Sequence, residues 1–222
     1  PPGTASLCIT VNAAPFAGLA TQTPVCSNGA PVILFNLLAG AQSGGSWTGP
    51  GGPHSGVYIP NIDSAGVYTY TVNGLPPCAP DQTTVTVFEN QAPNPGNSTA
   101  ITLCSNGSAV NLFSQLGGTP DPTGSWTYNS LPHTGIFIPG TSAAGVYTYT
   151  VIGVLPCTNA SATVTVSVNA PPNAGCNNSI VVCSDQIAFP LFDWLGCTPQ
   201  GSGAWTFGGN VHSGIFVPGT SS

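Results

Sequence analysis

The chain repeats itself with a fixed period of 79 residues, and this period constrains its fold more than any single motif. Three Trp and three His residues recur at that interval: Trp47, Trp126, Trp205, His54, His133 and His212. The segment Gly-Val-Tyr-Thr-Tyr-Thr-Val at 66–72 returns letter for letter at 145–151. A period of this length matches one small domain, so the sequence predicts a tandem array of copies.

Alignment of the copies divides the chain into four segments. Residues 1–12 correspond to the closing strand of a preceding repeat, and residues 13–90 and 91–169 form two full repeats. Residues 170–222 form a third repeat that lacks its last two strands. Because the joints between copies contain Pro, which favours extended backbone, we expect the repeats to form an elongated rod.

The local patterns within each repeat are those of short strands. In 66–72 the two Tyr residues and the last Val fall on one face, and Val164, Val166 and Val168 alternate with hydroxyl residues in the same way. Clusters of Gly, Pro, Asn and Ser separate the strands, and no sustained helical period is present. The predicted fold class is therefore all-β, with each repeat an antiparallel β-sandwich.

The composition excludes several classes of function. The chain contains no Lys and no Arg, and its six acidic residues give a formal net charge of -6. Without cationic side chains it has no electrostatic means of binding nucleic acid or anionic lipid headgroups. No apolar run approaches the ~20 residues that span a bilayer. We therefore expect no nucleic-acid partner and no direct membrane insertion.

The sequence also gives no indication of catalysis. It contains no Gly-x-Ser-x-Gly nucleophile motif, and its acidic residues are scattered. The three His residues, one per repeat, are expected to be turn residues and not to converge on one metal ion. We predict a protein that is not an enzyme and has no cofactor. The one metal hypothesis is a weak calcium site at a repeat junction, near Glu89 or Asp121.

Five of the eight Cys residues follow the repeat period (Cys26, Cys78, Cys104, Cys157 and Cys183), which indicates a disulfide framework in an oxidising, extracellular compartment. A bridge would stabilise a repeat that is small for a single hydrophobic core. We expect three bridges: Cys26–Cys78, Cys104–Cys157 and Cys176–Cys197. Cys8 and Cys183 receive no partner in the chain. A thiolate metal site is the alternative, but the repeats lack a Cys-x-x-Cys pair.

The aromatic residues have two possible roles. Trp47, Trp126 and Trp205 are expected in the sandwich cores, with sugar-stacking platforms as the alternative. Trp194 occurs only in the third repeat, beside Asp193. It is therefore our candidate for an exposed contact with a ligand.

The repeat is most complete at 104–168. It reads Cys-Ser-Asn-Gly, then Gly-Ser-Trp-Thr, Pro-Gly-Thr-Ser-Ala-Ala-Gly-Val-Tyr-Thr-Tyr-Thr-Val, Pro-Cys and Ala-Thr-Val-Thr-Val. This unit resembles the immunoglobulin-like repeats of large secreted surface proteins of Bacteroidetes. The resemblance implies an adhesin, a class that includes the mobile filaments used in gliding, exported by the type IX system.

Two shorter motifs extend the resemblance. Gly66-x-Tyr68 and Gly145-x-Tyr147 are similar to the tyrosine corner of immunoglobulin folds. Asp63-Ser64-Ala65 resembles the acceptor triplet for O-glycans in this phylum, which implies possible glycosylation at Ser64.

These observations favour a non-enzymatic extracellular filament or adhesin stalk. Its expected partners are extracellular surfaces or glycans, or copies of itself in a filament. One alternative is a subunit that polymerises into an extracellular fibre by exchanging strands between chains. Another is a carbohydrate-binding or spacer module of a secreted hydrolase.

Overall fold

The structure is a computed structural model that describes residues 3–219. In this range the chain is all-β, as the sequence predicts, and contains no α-helix. Short 3₁₀ turns lie at equivalent places in the three repeats: Leu34–Leu37, Leu112–Gln115 and Leu191–Trp194. No helix in the same range is long and apolar enough to cross a bilayer.

The first repeat contains seven strands in two sheets. They are β1 Thr21–Cys26, β2 Val32–Ile33, β3 Ser46–Gly49, β4 Gly52–His54, β5 Val57–Tyr58, β6 Gly66–Val72 and β7 Asp81–Asn90. A five-stranded sheet has the order β1-β7-β6-β3-β4, and β2 pairs with β5 in a separate two-stranded sheet. All pairings are antiparallel except that of β1 with β7, which is parallel.

The second repeat reproduces this arrangement. Its strands are β8 Thr99–Cys104, β9 Val110–Asn111, β10 Ser125–Tyr128, β11 Leu131–His133, β12 Ile136–Phe137, β13 Gly145–Val151 and β14 Ala160–Asn169. The large sheet has the order β11-β10-β13-β14-β8, and β12 pairs with β9. The third repeat contains β15 Phe189–Pro190, β16 Trp205–Phe207, β17 Asn210–His212 and β18 Ile215–Phe216.

The alternating pattern of β6 explains how the core forms. Tyr68, Tyr70 and Val72 point inward and are buried, while the Thr residues between them are only partly covered. Because successive side chains of a strand point to opposite faces, one face of β6 packs against the core. Trp47 on the neighbouring β3 joins the same apolar cluster, together with Leu34.

The strand order is that of an immunoglobulin sandwich. The closing strand β7, the tyrosine strand β6, the Trp strand β3 and the strand β4 lie side by side in that order. Strands G, F, C and C′ of variable-type domains are arranged in the same way. Tyr68 is the third residue of the tyrosine strand β6, and its hydroxyl donates a hydrogen bond to the Ser64 carbonyl at 2.8 Å. This is the tyrosine corner expected from the sequence.

A second Tyr occupies the place where an antibody domain has its second core Cys. The Tyr149 ring lies 5.1 Å from that of Trp126 between centroids. Its hydroxyl donates to the Asp121 carbonyl at 2.6 Å and accepts a hydrogen bond from the Gly124 amide at 2.8 Å. Packing and hydrogen bonds therefore hold Tyr149 at the position where an antibody domain has a disulfide cysteine.

The predicted closing strand at 1–12 is not formed over its described part. Residues 3–20 belong to no strand, and Leu7, Ile9 and Val11 are exposed. A strand needs a neighbour to pair its backbone groups, and no described strand lies beside these residues. The exposed alternation in 7–11 is therefore a strand pattern without a partner.

The third repeat differs from the first two in its large sheet. There β16 pairs only with β17 among the described residues, and no tyrosine strand lies beside it. As a result Trp205 is only half-buried, whereas Trp47 and Trp126 are buried. The core role predicted for these Trp residues is thus complete in the first two repeats and partial in the third.

We predict that Tyr149→Phe destabilises the second repeat by about 1–3 kcal/mol, because the ring stays while two part-buried hydrogen bonds, each contributing about 0.5–1.5 kcal/mol, are lost. Denaturant unfolding gives the change in free energy, and amide hydrogen exchange at Gly124 reports the local loss. Val146→Ala on the exposed face of the same strand is the matched control, with a change within about 0.5 kcal/mol. Equal effects of the two variants would contradict the prediction.

Candidate functional site: a bridged junction between repeats

The disulfides connect the chain differently from the sequence prediction. Cys26 is bonded to Cys157, 131 residues later, with the two Cα atoms 5.0 Å apart. The predicted pairings Cys26–Cys78 and Cys104–Cys157 are therefore wrong. Cys176 is bonded to Cys197, which is the pairing that the sequence analysis expects. Four Cys residues in the described part of the chain form no bridge: Cys8, Cys78, Cys104 and Cys183.

The parallel pairing of β1 with β7 explains why the bridge cannot close within one repeat. Cys26 lies opposite Asn90, the last residue of β7. Cys78 precedes Asp81, the first residue of that strand. Ten residues at about 3.3 Å each separate the two ends by about 30 Å, whereas a disulfide needs Cα atoms within about 7 Å.

The chain leaves the first repeat through Asn90, which contacts both sides of the junction. Its carbonyl accepts a hydrogen bond from the Ser27 amide at 2.9 Å. Its carboxamide Nδ2 donates to the Leu155 carbonyl of the second repeat at 2.7 Å. The Ser27 hydroxyl in turn accepts from the Ala92 amide at 2.9 Å. Backbone and side chain therefore hold the connecting residues in place.

Cys157 completes the junction from the side of the second repeat. It is 2% exposed, and its Sγ lies 3.4 Å from the Asn90 carbonyl oxygen and 3.6 Å from that of Gln91. The bonded Cys26 is also buried. These contacts involve no charged group, so salt does not screen them.

A second contact fixes the chain just after the junction. The Asn94 amide donates to the Asp121 carboxylate at 2.8 Å, and the Asp121 amide donates to the Asn94 carbonyl at 2.8 Å. The same two-way contact joins equivalent residues in the other repeats: Phe16 with Gln42, and Asn173 with Gln200. Asp121 therefore serves to anchor the linker in this structure.

Glu89 belongs to a network found only in the first repeat. Its carboxylate accepts a hydrogen bond from the Tyr58 hydroxyl at 2.6 Å and from the Asn61 amide at 3.0 Å. Burial raises the pKa of the Tyr58 hydroxyl above its ordinary value, and the hydrogen bond to Glu89 raises it further. The second repeat has Phe137 and Val168 at the two equivalent positions. Within the described residues no group of three or more His, Cys, Asp or Glu is placed to hold a metal.

The three His residues have one shared structural role. Each ends its strand, and its Nδ1 accepts a hydrogen bond from the Gly amide two residues later. The His54 and His133 rings also pack against Tyr68 and Tyr147, with ring centroids 4.7 and 4.8 Å apart. Each His is thus the last residue of a strand, and its side chain holds the turn that follows.

The remaining candidate residues lie on the surface. Trp194 is 45% exposed, and it lines a shallow cavity of the third repeat together with Asn178, Leu191 and Trp205. Ser64 is also exposed, while its carbonyl accepts the hydrogen bond of the tyrosine corner. Ligand contact at Trp194 and glycosylation at Ser64 both stay predictions.

The sequence reasoning missed the residues that build the junction, above all Asn90 and Ser27. One signal was present: Asn12, Asn90 and Asn169 recur with the repeat at the end of each closing segment. A polar residue that recurs at a joint indicates hydrogen bonding of the linker backbone.

No protein-family model matches the chain, and neither does any curated protein. Solved structures with tandem immunoglobulin domains do resemble it. An I-band fragment of titin is 12% identical with a TM-score of 0.43, and the match covers 69% of this chain and 64% of that fragment. The immunoglobulin domains 1–4 of Sidekick-1 are 14% identical (TM-score 0.27; 73% and 54% covered). The extracellular domains 3–5 of Drosophila OTK are also 14% identical (TM-score 0.30; 75% and 69% covered).

The chain thus spans less than two thirds of the titin fragment. Its assignment to the immunoglobulin fold depends on its own features, namely the order of the strands, the buried Trp of the central strand and the tyrosine corner.

We predict that the oxidised chain carries the Cys26–Cys157 and Cys176–Cys197 bridges, and that iodoacetamide labels the four remaining thiols. Proteolysis without reduction, followed by mass spectrometry, identifies the bridged peptides. Because the chain has no Lys or Arg, chymotrypsin replaces trypsin. A peptide that links Cys26 to Cys78 would show that the junction is not bridged.

We also predict that Tyr58→Phe costs about 1.5–3 kcal/mol, since it removes a hydrogen bond to a charged acceptor. The double variant Tyr58→Phe/Glu89→Val copies the apolar pair of the second repeat. It should cost less than the sum of the two single variants, because both remove the same interaction. Denaturant unfolding of the four chains measures the coupling, and strict additivity would show that the contact contributes nothing.

Proposed function

We propose that this chain is part of an extracellular, non-enzymatic stalk or filament that carries tension along serially linked immunoglobulin-like repeats. The observation that supports the proposal most strongly is the cystine between Cys26 and Cys157, which joins successive repeats. A bridge inside one repeat would stabilise that repeat alone. A bridge between repeats also fixes their connection.

The bridge alters the path that force takes through the backbone. Tension that enters from the amino-terminal side reaches Cys26, crosses the disulfide to Cys157 and continues toward the carboxyl terminus. Residues 27–156 lie outside this path, although they include the whole tyrosine strand of each of the two repeats. The sandwiches can therefore stay folded at loads that would otherwise be applied to their strands.

The composition and the cystines support an extracellular location. Structural disulfides persist in oxidising compartments, and the structure contains two. The sheets expose Thr and Ser in place of charged groups, so the surface supplies hydroxyls for contact with glycans or with other proteins. The resemblance of 104–168 to the repeats of Bacteroidetes surface adhesins agrees with this assignment.

We predict that single-molecule stretching separates the bridged chain from the unbridged one. When both ends of the oxidised chain are pulled, the bridge withholds 131 residues from extension. Cys26→Ser releases these residues, so the fully extended length should increase by about 450 Å at about 3.5 Å per residue.

Cys176→Ser is the matched control, because it opens a bridge that spans only 21 residues. Its gain in length should be about 70 Å. If Cys26→Ser lengthens the chain no more than this control does, the repeats are not mechanically coupled and the proposed function is wrong.

A further inference from the structure

The two cysteines of the junction disulfide occupy different places in their repeats. Each of these places also holds an unpaired cysteine in the other repeat. Cys26 and Cys104 both end the first strand of a repeat, and we call them strand-end cysteines. Cys78 and Cys157 both lie in the turn between the tyrosine strand and the closing strand, and we call them turn cysteines. Cys26 and Cys157 are bonded to each other, whereas Cys78 and Cys104 are free.

Two contacts at the free turn cysteine match those at the bonded one. The Cys78 Sγ lies 3.6 Å from the Asn12 carbonyl oxygen, and the Asn12 Nδ2 donates to the Pro76 carbonyl at 2.8 Å. At the bonded junction, Asn90 makes the two equivalent contacts at 3.4 and 2.7 Å. Asn12 therefore already makes at Cys78 the contacts that Asn90 makes at Cys157.

The free strand-end cysteine also matches its bonded counterpart. The Cys26 carbonyl accepts a hydrogen bond from the amide three residues later at 2.8 Å, and the Cys104 carbonyl does so at 2.9 Å. The next residue, Ser105, donates its amide to the Asn169 carbonyl at 2.8 Å, as Ser27 does to Asn90 at 2.9 Å. Cys104 itself is exposed, so its thiol is open to a partner.

We propose that Cys78 and Cys104 are crosslinking sites for further repeats of this kind. Cys104 takes a turn cysteine, one that follows a Tyr-Thr-Val strand and a Pro, and Cys78 takes a strand-end cysteine. This inference rests on the proposed function and deepens it, since it makes the bridged junction a repeating feature. The partner repeat belongs either to the same polypeptide or to a second copy of the chain.

The partner of Cys104 does not lie in its own repeat. Cys157 is already bonded to Cys26. Cys104 is placed beside the last residue of β14 through Ser105, while Cys157 precedes the first residue of that ten-residue strand. The same strand length that separates Cys26 from Cys78 applies here.

The reaction requires an external oxidant, which we take to be a disulfide such as oxidised glutathione. The thiolate of one cysteine attacks this disulfide, forms a mixed disulfide and releases one thiol. The second cysteine then attacks the mixed disulfide and releases the other thiol. Two protein thiols are oxidised, one external disulfide is reduced to two thiols, and two protons pass from the cysteines to the released thiols.

One consequence is that successive cystine loops overlap. The observed loop runs from Cys26 to Cys157, and the next would begin at Cys104, inside it. Every segment of the chain between two junctions would then lie inside at least one loop closed by a disulfide.

A longer chain tests the proposal directly. A copy of residues 144–169 added after Ser222 gives the third repeat a tyrosine strand, a turn cysteine and a closing strand. After oxidation with glutathione, we expect a bridge between Cys104 and the added cysteine, and loss of Cys104 labelling by iodoacetamide. The same extension with its cysteine changed to Ser is the control, in which no peptide links Cys104 to the extension. Protection of the added strands from amide hydrogen exchange, measured by mass spectrometry, reports that they have folded.

Each outcome decides the proposal. A bridge from Cys104 to the added cysteine supports a partner in the same polypeptide, and a chain dimer linked from Cys104 to Cys78 supports a second copy. A bridge from Cys183 to the added cysteine overturns the proposal, because it closes within one repeat. The absence of any protein bridge to Cys104 while the added strands are folded overturns it as well. Neither failure changes the result expected from the stretching experiment, which depends only on the bridge between Cys26 and Cys157.

A second variant keeps the test independent of the extension. Cys26→Ser leaves Cys157 and Cys104 both as free thiols in the chain of 222 residues. After glutathione oxidation we expect no Cys104–Cys157 bridge in the monomer, with each cysteine recovered as a thiol or as a mixed disulfide with glutathione. A Cys104–Cys157 bridge within one chain would mean that a repeat can close on itself, and the proposed crosslinking sites would be wrong.

Discussion

The parallel pairing of β1 with β7 is the constraint on which the junction depends. It carries Cys26 to the end of β7 where the chain leaves the first repeat, next to Asn90. If β1 were antiparallel to β7, it would end beside the first residues of β7, near the turn that contains Cys78. One choice of strand direction therefore decides whether a cystine closes a single sandwich or joins two.

The aromatic core makes this use of Cys possible. In an antibody domain the bridge between the sheets contributes to stability and packs against the central Trp. Here Tyr70 takes that place: its ring lies 4.9 Å from that of Trp47, and its hydroxyl holds the Gln42 carbonyl and the Gly45 amide, each at 2.8 Å. Because packing and hydrogen bonds hold each sandwich, its cysteines are available at the ends of the repeat.

The sequence predicts the fold well because each signal is local. Alternation identifies the tyrosine strand, the period identifies the repeats, and the Gly-x-Tyr motif identifies the corner formed by Tyr68. The pairing of Cys26 depends instead on which strand β1 joins and in which direction. No local sequence pattern in β1 encodes this choice. The equal spacing of cysteines fits a bridge within a repeat as well as a bridge between repeats. Only the direction in which β1 pairs with β7 distinguishes the two.

The absence of Lys from the chain makes the cystines more important for a load-bearing role. Lys-to-Asn isopeptide bonds and salt bridges to Lys or Arg are both excluded by composition, which leaves hydrogen bonds, apolar packing and disulfides. Hydrogen bonds between strands are much weaker than a covalent bond, so they break under load before the disulfide between Cys26 and Cys157 does. A chain of this composition can therefore resist tension best where its cystines connect one repeat to the next, and the junction lies at such a place.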